Sequence, residues 1–313
     1  MEFFSTRSNF DFLGKDKIAF VLSTILVVGS LILLIPGVRG LNFGIDFTGG
    51  VLLELTYKGP ADLSDIRKRL TADDYGDAQV QNFGTANDVM IRVMPREGVA
   101  GKEIADQIVG VLKQGDATAE LRRTEFVGPQ VGADLAQKGA LAMLFAMLMI
   151  MVYIGVRFQW KFAVGAIVAT LHDPIVILGF FALSGMTFDL SVLAAMLAII
   201  GYSVNDTIVV FDRIRENFRK VRRGTPREIM NLSINETLSR TIMTALTTLL
   251  VVIAMLLFGG ETLRGFSAAL SIGIVVGTYS SIFVASAISL ELKASPADLL
   301  VKAKDKGEGG AVI

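Results

Sequence analysis

Three ionisable residues stand in or beside almost wholly apolar sequence, and their types suit proton handling. Asp173, flanked by His172 and Pro174, lies near the middle of one long apolar run. Asp206, preceded by Asn205, lies in another run, roughly 8 Å from its centre by helical rise. Arg240 stands at the mouth of a third, where its long side chain could reach inward. An ionised group in hydrocarbon is costly, so an intramembrane Asp points by default to an ion or proton pathway. An Asp and an Arg at similar depth on neighbouring helices would make a natural pair. Protonating the carboxyl would release the guanidinium and permit a helix rearrangement. Blander readings stand beside this one. Polar groups also fasten helices together. An Arg at a span end is also an ordinary topological anchor. His172 alone reads as a hydrogen-bonded histidine rather than a titrating one.

Two glycine-bearing segments carry no such charge chemistry. In NFGIDFTGG (42–50), Gly44, Gly49 and Gly50 permit tight or positive-φ backbone, and Asp46 and Thr48 can hydrogen-bond it. A phosphate loop would need a lysine and a strand–loop–helix order. Here the glycines precede a strand pattern, so the segment reads as a shaped connector against the outer membrane face. VGPQVGA (127–133), with Gly128, Pro129 and Gly132, reads as the matching connector, a helix stop or a hinge. Further on, Gly201, Ser203, Gly273, Gly277, Ser280, Ser281, Ala285 and Ser286 are small residues of the kind that lets helices approach closely. They predict a tight bundle or a partner interface, and charged residues are too few for a wide polar pore.

The elements that must position these residues are membrane spans. The 313 residues are 52% hydrophobic, with mean hydropathy +0.57, and the excess lies in long runs. Formal net charge is zero, which removes any bulk attraction to nucleic acid. With no cysteine and one histidine, disulfides, thiolate catalysis and Cys or multi-His metal sites are excluded, and no cofactor or bond chemistry is expected. Apolar runs at 18–35, 139–156, 162–183, 190–211, 241–258 and 266–290 predict six transmembrane helices. The first is followed by no small-residue cleavage site and reads as uncleaved.

Lys and Arg set the orientation. Arg157 and Lys161 follow span two. Arg213, Arg215, Arg219, Lys220, Arg222, Arg223, Arg227 and Arg240 follow span four. Lys293, Lys302, Lys304 and Lys306 follow span six. The loop after span three has no Lys or Arg, and the loop after span five has only Arg264. Both termini are therefore expected in the cytoplasm, and the 37–137 segment outside. The layout is 1–36 N-terminus and first span, 37–137 external domain, 138–292 spans two to six with a basic loop at 212–240, and 293–313 a charged tail. The glycine-rich part of that tail, 306–310, is expected to be disordered.

Within 37–137, strands are predicted at 51–57, 78–83, 89–94 and 118–126, and helices at 62–70 and 101–113. Asp62 or Ser64 caps the first helix, and Gly84–Asn87 makes a hairpin turn. The order β-α-β-β-α-β is that of a small α+β ferredoxin-like domain. Residues 226–239 predict a capped helix (Thr225, Pro226, Glu228) lying along the cytoplasmic interface and leading into span five.

GIDFTGG (44–50), VGPQVG (127–132) and the long GYSVNDTIVVFDRIREN (201–217) together resemble the SecF branch of the SecD/SecF family, within the resistance–nodulation–division superfamily. The six-span plan with one small external domain fits that branch. The resemblance covers nearly the whole chain and reads as a stand-alone SecF rather than a fused SecDF. It implies a multi-pass protein of the bacterial cytoplasmic (inner) membrane with a periplasmic domain. It further implies pairing with SecD and association with SecYEG, SecA and YajC or YidC. The implied function is not enzymatic: it uses the proton-motive force to draw unfolded preprotein across the membrane. The same resemblance implies that Asp206 and Arg240 conduct protons; Asp173 is added from its depth alone. The competing classes are a small-molecule exporter of the same superfamily and a passive translocon scaffold. One small domain and six spans argue against an autonomous pump.

Overall fold

The computed structural model describes residues 9–96, 98–221 and 223–299. Arg222, Lys302, Lys304, Lys306 and the glycine-rich tail lie outside them. The first long helix, α1 (Asp16–Leu34), continues a short turn at Leu13–Lys15. A two-residue strand β1 (Asn42–Phe43) and one helical turn α2 (Ile45–Thr48) follow. Next come β2 (Gly50–Thr56), α3 (Leu63–Ala72), β3 (Gln79–Phe83), β4 (Thr85–Val93), α4 (Gly101–Gly115) and β5 (Glu120–Val127). The bundle then continues with α5 (Pro129–Arg157), α6 (Trp160–Ser184), β6 (Thr187–Phe188), α7 (Leu190–Lys220) and α8 (Pro226–Phe258). Its last span is α9 (Gly260–Tyr279), a π-helical turn Ser280–Ala285, and α10 (Ser286–Glu291).

Among the described residues, six helices are long and apolar enough to cross a membrane, as the hydropathy predicted. They divide by burial. In α6, α7 and the last span, 61%, 50% and 56% of the most apolar stretch is buried inside the protein, so these form the central layer. In α1, α5 and α8 the shares are 11%, 6% and 11%, so these present their apolar sides outward. Exposed Ile18, Val21 and Ile25 on α1 and Leu250, Val251 and Leu257 on α8 belong to that lipid-facing surface.

The inserted domain has the predicted element order. Its sheet runs β3-β4-β2-β5 with every pair antiparallel, the split arrangement of a ferredoxin-like fold. Strand alternation puts Val51, Leu53, Leu55, Val89, Ile91 and Val93 on one face, against Ile66 and Leu70 of α3 and Ile104, Ile108 and Leu112 of α4, all buried. Asp62 caps α3, accepting from the Ser64 and Asp65 amides at 2.8 and 3.1 Å.

Three local expectations need correction. The hairpin turn is Gly84 alone, at φ +80°, and β4 begins at Thr85 rather than after Asn87. The register shift between Asn82 and Phe83 absorbs the tight reversal, and Asp88 holds the strand start by accepting from Thr56 and Thr85 hydroxyls at 2.5 and 2.7 Å. The Gly128-Pro129 pair does not stop a helix. It opens α5, with Pro129 in its first turn, where its missing N–H costs nothing. Finally, the segment 226–239 is no separate interfacial helix. The capping box of Thr225 and Glu228 starts α8 as predicted, but the helix then runs unbroken to Phe258. The basic stretch after span four likewise continues as α7. Arg213 bridges to Glu236 at 2.6 Å, Asn217 donates to Ser233 and Glu236 at 3.0 and 2.7 Å, and Ile229, Ile234 and Leu238 are buried. The two helix extensions therefore pack on each other beyond the membrane.

Gly50 has φ +126°, and a Cβ there would lie 2.4 Å from the Val93 carbonyl oxygen. Gly50→Ala is therefore expected to cost about 1–3 kcal/mol, seen as a lower melting temperature of the full chain in detergent. Gly59→Ala, which meets nothing within 4 Å, is the control and should melt as wild type. Equal melting of both variants would refute this account of the joint. A pH test follows from Asp88, whose carboxyl is held below its ordinary 3.8 by the two threonine hydrogen bonds. A lowered folded-state value means stabilisation that is present above pH 3.8 and lost as the pH falls through the folded value. Asp88→Asn should therefore be less stable than wild type at neutral pH, with the gap closing below 3.8 in acid-denaturation curves.

Candidate functional site

Asp173 is completely buried at the crossing of three central helices. Pro174, next to it inside α6, has no N–H to give its own helix. The carboxylate accepts from the Ser203 hydroxyl of α7 at 2.5 Å and the Ser280 hydroxyl of the last span at 3.1 Å, and its second oxygen lies 3.1 Å from His172 Nδ1. The approach depends on Gly277. A Cβ there would lie 3.0 Å from the Ser203 side chain and 3.5 Å from the Asp173 carboxylate. The π-helical turn begins at Ser280, and Ser281 donates to the Gly277 carbonyl at 2.6 Å. His172 is hydrogen-bonded through Nδ1 only, while its buried Nε2 has no partner among the described residues, so the expected satisfied histidine is satisfied at one nitrogen.

Asp206 sits one turn beyond Ser203 on α7 and is 3% exposed. Its Oδ2 is buried without a hydrogen-bond partner among the described residues. Arg240 of α8 is exposed. Among the described residues no ion pair joins it to Asp206. Beside it, Thr241 is buried with its hydroxyl also unpartnered. The structure thus places Asp206 one turn along α7 from Ser203, whose hydroxyl binds Asp173, and leaves Arg240 exposed at the rim. Asn205 and Gly201 face the other way. They are exposed, with Ala194 and Ala198, along one open stripe of α7.

At the domain end the two glycine segments form a single joint. The Gly44 amide donates to the Phe188 carbonyl at 2.8 Å, and β1 pairs in parallel with β6. Asp46 accepts from the Leu190 amide at 3.0 Å, and Asp189 accepts from Val192 at 2.9 Å, so two carboxylates cap the start of α7. Gly49, at φ +69°, lies under Pro129, and a Cβ on Gly132 would sit 2.7 Å from the Gly49 nitrogen. Glycines in both segments are required by this backbone contact.

One residue of the joint was missed. Arg92 is 6% exposed on the sheet face away from α3 and α4. One guanidinium nitrogen donates to Asn42 Oδ1 and the Phe43 carbonyl, both at 3.0 Å, and to Gln79 at 3.2 Å. The other donates to the Thr187 hydroxyl at 3.0 Å. Burial pushes this guanidinium below its usual value, and the charges of Asp189 and Asp46 oppose that. The signal was present: an Arg inside the apolar alternation of β4 must occupy the opposite sheet face.

Comparison with known proteins bears on both regions. Residues 107–295 match the family pattern described as Protein export membrane protein SecD/SecF, C-terminal, and residues 35–61 match the SecD/SecF GG Motif. The Protein translocase subunit SecF of Vibrio alginolyticus is 50% identical over 90% of this chain and 89% of its own. That of Pseudomonas aeruginosa is 48% identical over 94% and 95%.

The chain belongs to the SecF family of protein translocase subunits.

The crystal structure of SecDF, a translocon-associated membrane protein from Thermus thermophilus, superposes with a TM-score of 0.83 at 34% identity, over 93% of this chain. The SecF chain spans 39% of that longer SecDF chain. A second structure, SecDF in the Super-membrane-facing form, gives 0.68 at 35% identity. The GG motif of the SecF family is thus the inner half of the joint, and its partner glycines come from 128–132. As a SecF protein the chain is a membrane-embedded component of protein export.

The joint makes a measurable claim. Arg92→Met should free Asn42 and Thr187 and raise amide hydrogen exchange at 42–48 and 187–192, with the sheet core at 51–55 unchanged. Unchanged exchange at 42–48 would remove Arg92 from the joint.

Proposed function

We propose that this chain is the six-span partner of a SecD subunit and helps convert the proton-motive force into outward movement of preprotein. The observation that carries the reading is Asp206, whose buried carboxylate oxygen has no partner among the described residues, on a helix whose start is capped by the external domain's own Asp46. Proton binding at Asp206 changes the charge in the centre of α7 and alters its attraction to Arg240. Because α7 is one continuous helix, a shift at its middle moves its capped end, and with it the joint formed by Gly49, Gly132 and Arg92. Asp173 holds α6 and the last span to α7 through Ser203 and Ser280, so these three move together or break a buried network.

The open stripe of Ala194, Ala198, Gly201 and Asn205, with exposed Arg240 on the neighbouring α8, is the surface we assign to SecD. SecYEG, SecA and YajC or YidC are the further translocon partners in this reading. Both termini then lie in the cytoplasm of a bacterial inner membrane, with 37–137 outside, as the distribution of Lys and Arg favours.

The test is export into inverted membrane vesicles with an imposed proton gradient. Asp206→Asn should assemble with SecD normally and lose the gradient-dependent part of export, and Arg240→Met should do the same. Full gradient-dependent export by both variants would leave a passive scaffold. Drug sensitivity without an export defect on deletion would favour an exporter.

A further inference from the structure

At the end of the bundle away from the inserted domain, α5 finishes at Arg157 while α7 runs on to Lys220. Between them opens a cleft of about 400 Å³ lined by six charged residues, Arg157, Arg215, Arg219 and Lys220 against Asp212 and Glu216, whose apolar stems form much of its wall. The carboxylates do not satisfy the cations. Asp212 is shared by Arg157, at 2.7 and 2.9 Å, and Arg215, at 3.3 Å. Glu216 is held by Lys220 at 2.5 Å and also by Arg213 at 2.7 Å. The buried Nε of Arg215 has no partner, and Arg219 has none among the described residues. The cleft therefore carries an excess of two positive charges and free guanidinium donors.

Two of the three guanidinium groups are held in place. Arg157 lies 5.2 Å and Arg215 5.5 Å from the centre of the Phe158 ring, which is itself buried. Beside the cleft the surface turns apolar at once. Val156 is 85% and Trp160 63% exposed, the pairing of aliphatic and indole surface found where a span meets the headgroups. A soluble anion would use only the charge. A phospholipid would use both features, with phosphate in the guanidinium cleft and acyl chains along Val156 and Trp160.

We propose that this cleft is a binding site for the phosphate headgroup of an anionic phospholipid. Arg215 and Arg219 grip the phosphate, and Arg157 stays with Asp212. The proposal needs only that this end of the bundle lies at a membrane surface, so it stands apart from the proton-coupling reading.

The test is native mass spectrometry of the full chain released from nanodiscs of equal phosphatidylglycerol and phosphatidylethanolamine. Wild type should retain phosphatidylglycerol preferentially. Arg215→Gln with Arg219→Gln should reduce that retention about tenfold, while Arg264→Gln at the opposite end should not. Arg215→Lys with Arg219→Lys keeps the charge and should retain more lipid than the glutamine pair, which guards against a folding defect. Millimolar inorganic phosphate should leave the lipid in place. Equal retention of both lipids by wild type, or full retention by the glutamine pair, would overturn the site. Displacement by inorganic phosphate would show a free-phosphate site and overturn the lipid assignment.

Discussion

A carboxylate in the middle of a membrane bundle must find hydrogen-bond donors or lose its charge, and the central layer is arranged around two that meet this demand differently. Asp173 is fully provided for. Two serine hydroxyls from two other helices and a histidine from its own surround it. Asp206, one turn along α7 from Ser203, has a buried oxygen with no donor among the described residues. Breaking a satisfied buried network costs several hydrogen bonds at once, whereas an unsatisfied group changes state at little cost. In the proposed reading, Asp173 is therefore the fixed point of the bundle and Asp206 the group that responds.

The external domain shares this arrangement through α7. The helix begins at a capping site built by Asp189 and by Asp46 of the GG segment, and it ends in ion pairs with α8 beyond the opposite face. Gly49, Gly50, Gly132 and Arg92 make the joint compact enough for backbone to meet backbone. A side chain at Gly49 or Gly132 would push the GG segment off the start of α5, and one at Gly50 would clash with Val93 in the sheet.

Much of this was legible in the sequence because the signals were local. Apolar run length marked six spans, and strand alternation gave the order of the domain. The Thr225-Pro226-Glu228 start of α8 followed from capping chemistry. What failed depended on tertiary contact. The polar stretch through Ser239 and Arg240 looked like a boundary between an interfacial helix and a span. The chain continues as helix because Ile229, Ile234 and Leu238 are buried against α7. The two glycine connectors looked independent because nothing in the sequence says that Gly49 and Gly132 touch. Depth suggested that Asp206 and Arg240 pair. Depth does not fix the rotation of a helix about its axis, and α8 turns Arg240 to the open side. Ser203 and Ser280 were read as small packing residues, yet their hydroxyls satisfy Asp173.

The central claim is that the charge state inside the bundle is mechanically linked to the external domain through α7. The chain contains no cysteine, so spin labels can be placed at chosen sites without removing native thiols. Labels at Lys113→Cys on the domain and Leu250→Cys on the outward side of α8, which lies outside the unit of α6, α7 and the last span, would report their separation by pulsed electron spin resonance in vesicles containing the SecD partner. The account predicts that imposing a proton gradient shifts the distance distribution and that collapsing the gradient restores it. A distribution that is the same with and without the gradient would contradict it.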